Sequence, residues 1–137
     1  MKQEDKELLL KDLCARLPYG VKVKTNNIHI LRLGTHTRVG EYVTDVIELC
    51  KPYLFPMSSM TEEQFVELKV FANLTYEGNT LELVEWNDNC KTLEFWLEEI
   101  PSYELIKVFD WLNKNHFDYR GLIEKGLAIN ATGLNIY

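Results

Sequence analysis

Apolar residues recur along this chain with two different spacings, and the switches between them mark out its elements. From Glu4 to Leu17, Leu9, Leu13 and Leu17 return every four residues with Leu10 and Cys14 alongside, as on one face of a helix. Acidic residues open this segment and Arg16 lies near its end, where the helix dipole favours each sign. Pro18 and Gly20 stop it. From Val21 to Leu33 the spacing falls to two, and the segment reads as a β-hairpin. Asn tolerates positive φ, so Asn26-Asn27 can form its tight turn. A two-residue turn there would pair Thr25 with Ile28, Lys24 with His29, Val23 with Ile30 and Lys22 with Leu31. That register gathers Val21, Val23, Ile28 and Ile30 on one face and Lys22, Lys24, His29 and Leu31 on the other.

Gly34 to Gly40 reads as a loop. Glu41 to Phe55 fits helix or strand, and its Val and Ile content favours a strand near Val46–Leu49. Pro52 and Pro56 keep Tyr53-Leu54-Phe55 extended. Thr61 and Gln64 form a capping box for a helix running to about Asn73, with Phe65, Leu68 and Ala72 as its stripe and Phe71 widening it. A second hairpin is predicted from the alternation over Thr80–Trp86, the turn Asn87-Asp88-Asn89 and the run Leu93–Leu97. Pro101 and Ser102 open a helix to about Asn115, buried through Leu105, Phe109 and Leu112 with Ile106 beside them. Asp118 can cap a short last helix that Gly126 ends. Hairpins rather than single strands separate the helices. The expected architecture is therefore α+β: a single small domain spanning residues 1–137, with antiparallel hairpins, three main helices and a short C-terminal helix.

Composition narrows this picture. With 137 residues, 46% hydrophobic and 26% charged, the chain has the make-up of an ordinary folded domain that needs no metal or disulfide to hold it. Met1–Glu7 is charged and lacks the apolar core of a signal peptide, and no apolar run approaches the ~18 residues of a membrane span. A cytoplasmic location with no membrane partner is the expectation. Cys14, Cys50 and Cys90 are widely separated, so free buried thiols fit better than a disulfide framework.

Net charge is −6 but unevenly spread. Leu13 to Gly40 holds no Asp or Glu and carries Arg16, Lys22, Lys24, Arg32 and Arg38, whereas the rest is strongly acidic. This 16–38 window could meet phosphates, since a two-stranded ribbon can enter a major groove. The overall charge disfavours nucleic acid, and a solvated edge face or an acidic protein partner competes with that reading.

No spacing in the chain matches a metal site, a nucleophile elbow, a P-loop or a dinucleotide fingerprint. No catalytic residue, cofactor or metal is assigned, and an enzyme is the lesser reading. In an extended segment His116, Asp118 and Arg120 would share a face able to grip an anion or move protons. The competing reading packs Trp111, Phe117 and Tyr119, has Asp118 cap the last helix and places His116 at the end of the preceding one. The Pro-bounded loop from Pro52 to Met60 carries Tyr53, Leu54, Phe55, Met57 and Met60, which either form an adaptable protein interface or are buried under a helix.

The segments LLLKDLCARLPYGV from Leu8, KPYLFPMSSMTEE from Lys51 and WLNKNHFDYRGLIEKGLA from Trp111 resemble a family of small uncharacterised proteins carried in prophages and mobile elements of gut anaerobic bacteria. The resemblance implies a cytoplasmic accessory protein and transfers no catalytic residue. Thr25–Leu49 and Ala72–Ser102 fall outside it, and partner choice is expected there. The favoured function is a non-enzymatic protein-interaction module that binds a host or phage protein, with Lys22, Lys24, His29, Arg32, Arg38, Tyr53 and Phe55 as candidate contacts. The alternatives are a nucleic-acid binder using the basic window and a small-ligand binder or enzyme around His116.

Overall fold

The structure, a computed structural model, describes residues 1–25, 30–32, 50–72 and 102–137. Within them run helix α1 (Gln3–Arg16), strands β1 (Lys22–Lys24), β2 (Ile30–Arg32) and β3 (Lys51–Pro56), helices α2 (Glu62–Ala72) and α3 (Ser102–Lys114), and short strands β4 (Phe117–Asp118) and β5 (Ile129–Asn130). The class is α+β. The chain divides into two compact units, Met1–Phe55 with Arg120–Tyr137, and Pro56–Tyr119. The predicted turn at Asn26-Asn27, the loop at 34–40, the strand near 46–49 and the hairpin at 80–97 lie outside the described residues, as do His29, Arg38 and Cys90.

In the first unit, α1 forms where expected and turns through a 3₁₀ segment, Leu17–Tyr19, into Gly20 at φ 65°, whose N–H donates to the Leu17 carbonyl. Its buried face keeps the predicted Leu9 and Leu13, with Leu10 and Leu17 packed against the core they join, but it also takes in two charged residues. Leu9, Asp12, Leu13 and Arg16 point inward, while Leu10 and Leu17 are half-buried and Cys14 is exposed. The inward stripe keeps helical spacing. Leu9, Leu13, Val21, Val23, Leu54, Leu122, Leu127 and Ala128 form the core.

The hairpin β1–β2 is antiparallel, but its register pairs Lys22 with Arg32, Val23 with Leu31 and Lys24 with Ile30. This is one residue away from the register a two-residue turn requires. Ile30 and Leu31 are adjacent and both apolar, so the sequence pattern accepts either alignment and leaves the turn to decide. Strand β1 also pairs antiparallel with β3, Val23 opposite Pro52 and Lys24 opposite Lys51. Strand β5 pairs with β3 in parallel, at Tyr53–Ile129 and Leu54–Asn130, and the Ala131 N–H donates to the Leu54 carbonyl at 2.8 Å. The sheet is therefore mixed, where hairpins alone predicted antiparallel pairing. Pro52, Tyr53 and Leu54 are buried in succession, as in a strand covered on both faces.

The predicted short last helix is replaced by turns. Gly121 and Gly126 both sit at φ 72°, and Gly121 breaks the helix inside what would have been its first turn. The Leu122 carbonyl accepts from both Leu127 N–H (2.9 Å) and Ala128 N–H (3.2 Å), closing the loop over the core.

In the second unit, a 3₁₀ turn at Met57–Ser59 leads into α2 through the predicted capping box. The Thr61 N–H donates to Gln64 Oε1 at 2.9 Å and the Gln64 N–H to Thr61 Oγ1 at 3.2 Å. Helix α2 buries Phe65, Leu68 and Ala72 and packs against α3. Helix α3 buries Val108, Trp111 and Leu112, a face turned slightly from the predicted one. Leu105 and Phe109 are half-buried, and Ile106 is 66% exposed. Among the described residues, no helix is long and apolar enough to cross a membrane.

Candidate functional site

The first unit is built around a charged cluster that sequence reasoning missed. Asp12 and Arg16 lie one turn apart on α1 with fully buried side chains. Arg16 donates through Nε to Asp12 Oδ2 at 2.9 Å and through Nη2 to Oδ1 at 3.1 Å, a two-pronged pairing that fixes both groups. Arg120 donates from Nη1 to the same Oδ1 at 3.0 Å and is 17% exposed. Both carboxylate oxygens are thus taken up by guanidinium N–H groups, and the cluster ties α1 to the loop after β4. The usable signal was Asp12 and Arg16 at i, i+4 on the same helical face as Leu9 and Leu13.

Tyr137 is the other residue the sequence did not single out. Its hydroxyl accepts from the Lys22 N–H at 2.9 Å and donates to the Tyr53 carbonyl at 2.8 Å. Its ring lies 6.0 Å from that of Phe55, centroid to centroid. The ring keeps an exposed edge while the hydroxyl is drawn out of water. That loss of solvation pushes the phenol up to about 12, with Asp12 adding to the rise and the Lys22 N–H and Arg16 opposing it.

These two arrangements engage Arg16, Lys22 and Tyr53. Arg16 is buried against Asp12 and is lost to any phosphate-binding face. Lys22 is half-buried, donates through Nζ to the Ile136 carbonyl and sits 5.7 Å from the centre of the Tyr137 ring. Lys24 is exposed. Arg32 is placed through its backbone in β2, opposite Lys22. Tyr53 is buried along with Leu54, Met57 and Met60, so of the two readings of the Pro-bounded aromatics the structure takes burial. Phe55 is half-buried.

His116 and Asp118 are both buried, in the second unit. His116 stands at φ 61° immediately after α3, a left-handed position that His fills more readily than most non-glycine residues. Its N–H donates to the Asn113 carbonyl at 3.2 Å. The reversal brings Phe117 back onto Trp111, with rings stacked at 5.7 Å and 11°. Tyr119 packs on Phe109 at 5.0 Å and donates to Asn113 Oδ1 at 2.9 Å. The segment therefore takes the packing arrangement expected of its aromatics. Asp118 lies in β4 rather than at a helix start, and the Arg120 guanidinium is engaged by Asp12.

Among the thiols, Cys14 is exposed and Cys50 buried. Burial pushes the Cys50 thiol up from its ordinary value. Among the described residues, no group of His, Cys, Asp or Glu converges as metal ligands do.

The second unit also leaves apolar side chains in water. Val66 and Val70, one turn apart on α2, are 53% and 59% exposed, on the side away from Phe65, Leu68 and Ala72. Glu62, Glu63 and Glu67 are exposed on the same helix.

The chain matches no protein-family model, no curated protein and no solved structure.

Proposed function

We propose that the protein is a non-enzymatic interaction module, a phage or mobile-element accessory protein acting in the cytoplasm, whose contact face is the outer side of α2. The observation that carries this reading is the pair Val66 and Val70, both more than half exposed within the acidic surroundings of Glu62, Glu63 and Glu67. Branched apolar residues rimmed by carboxylates suit a protein segment that presents apolar side chains flanked by Lys or Arg. The resemblance to prophage-borne proteins supplies the cellular context. Tyr53 and Arg16 are buried, which leaves these two residues out of the proposed face.

Fully burying one such side chain contributes roughly 1.5–3 kcal/mol. From a half-exposed start the two valines together supply about 2 kcal/mol, or about a 30-fold change in Kd. The test places a photo-crosslinking amino acid at position 66, and in parallel at position 24, in cells of the source organism. The expected result is a single protein joined through position 66 at a Lys- or Arg-rich site. The purified partner should then lose about 30-fold in affinity for the Val66→Ser/Val70→Ser variant and none for Lys24→Glu. Equal affinity of wild type and the valine variant would overturn the assignment.

A further inference from the structure

We propose that residues 132–137 form a releasable strap, latched to the sheet by the Tyr137 hydroxyl wedged into the β1–β3 ladder. Strand β1 meets β3 with Val23 opposite Pro52 and Lys24 opposite Lys51. The next pair in that register is Lys22 with Tyr53, whose N–H and carbonyl would bond directly. Instead the Tyr137 hydroxyl stands between them, accepting from one at 2.9 Å and donating to the other at 2.8 Å. A side-chain group from 84 residues further along the chain thus takes the place of a ladder hydrogen bond and holds the strands apart there.

The strap is held to the sheet at two ends, and between them by local bonds, the Thr132 N–H on Asn130 Oδ1 at 2.9 Å and the Leu134 N–H on the Ala131 carbonyl at 3.1 Å. At one end Ala131 is buried and donates to the Leu54 carbonyl. At the other end are the Tyr137 hydroxyl, the Lys22 ammonium on the Ile136 carbonyl and the edge of Phe55. Thr132, Gly133, Leu134 and Asn135 are all exposed, and Gly133 and Asn135 have left-handed backbones at φ 77° and 52°. When the latch opens, the Lys22 N–H and the Tyr53 carbonyl are free to bond each other. Two hydrogen bonds through the hydroxyl are exchanged for one direct bond, and no buried polar group of the ladder is left unsatisfied. The ladder therefore has two satisfied states, which is what a switch requires. Opening uncovers Phe55 and releases Leu134, Ile136 and Tyr137 together. Because the phenol is held well above neutrality, the latch is protonated and fully bonded under ordinary conditions.

The test compares ¹⁵N relaxation and amide exchange in the full chain, wild type against Tyr137→Phe and, separately, Lys22→Met. In Tyr137→Phe, order parameters of residues 133–137 should fall from about 0.85 to below about 0.6. The α1 amides should exchange as in wild type, and the Lys22 amide should stay protected because it now bonds Tyr53. Lys22→Met should loosen the same residues with the same sparing of α1. A rigid 133–137 segment in both variants would overturn the latch. So would loss of Lys22 protection, or loosening of α1 along with the strap, since Tyr137 would then be an ordinary support of the whole unit.

Discussion

Replacing Asp12 by Asn tests the charged cluster most directly. The change preserves shape and removes the negative charge of Asp12 that faces Arg16, whose side chain has no exposed surface. It also turns an amide NH₂ toward guanidinium donors that had been met by carboxylate oxygens at 2.9, 3.0 and 3.1 Å. Breaking a buried ion pair from one side typically costs about 3–5 kcal/mol, because the surviving charge stays desolvated. Set against a total stability of roughly 5–15 kcal/mol, Asp12→Asn should lose about a fifth of it or more. Arg120→Met should cost less, about 1–2 kcal/mol, since Arg120 reaches water while bonding Asp12. The double variant Asp12→Leu/Arg16→Met, which removes both buried charges and keeps the volume, should recover most of the loss. Urea denaturation followed by far-UV circular dichroism, which reports helix content, gives all four values by linear extrapolation. A loss under about 1 kcal/mol for Asp12→Asn would refute the reasoning, as would a double variant no more stable than the single one.

Further outcomes follow from the same coordinates. In the folded protein at pH 7.5, a maleimide should label Cys14 rapidly and Cys50 only on unfolding, because the first is exposed and the second is buried with a raised pKa; peptide mass spectrometry reads both, and equal rates would contradict the burial. At position 116, Gly should be more stable than Ala by about 1 kcal/mol, reversing the usual helix order, because φ is 61°; thermal melts of the two variants decide it, and Ala above Gly would refute the left-handed assignment. Tyr137 has its pKa raised from 10 to about 12, so its protonated form is the one the fold favours. Its contribution is fully present below pH 10 and is lost as pH rises towards 12. The stability gap between wild type and Tyr137→Phe should therefore narrow over that window, and a constant gap would argue against the bonded hydroxyl.

Elements whose signals are local were legible in the sequence. The capping box at Thr61 and Gln64, the stripe Phe65–Leu68–Ala72 and the proline-bounded strand at Tyr53 each depend on neighbours a few residues away. The features that escaped depend on distant partners. The inward face of α1 is set by Arg120, 108 residues along from Asp12, and without that partner a buried Asp and Arg look like solvated surface. The hairpin register turns on two adjacent apolar residues, either of which satisfies the pattern. The last helix failed through Gly121, whose positive φ is invisible until the chain is folded, although glycine close behind a proposed cap is a warning. Tyr137 carries no motif at all: its role comes from a ladder position between Lys22 and Tyr53 that exists only once β1 and β3 are paired.

The same distinction explains where function is to be sought. An apolar cluster such as Leu9, Leu13, Val23 and Leu54 can be satisfied by several neighbouring alignments of its elements, since dispersion and burial carry little direction. Guanidinium and hydroxyl groups are directional, so one Asp12–Arg16–Arg120 geometry and one Tyr137 position select a single alignment from those the core would accept. In the second unit Asn113 and His116 have a comparable part, fixing the reversal that lays Phe117 on Trp111. Asp12, Arg16, Arg120, Tyr137 and Lys22 are thus committed to alignment. A partner-binding surface must then be drawn from side chains that alignment does not use. On α2 those are Val66 and Val70, whose exposure contributes nothing to the packing of Phe65, Leu68 and Ala72.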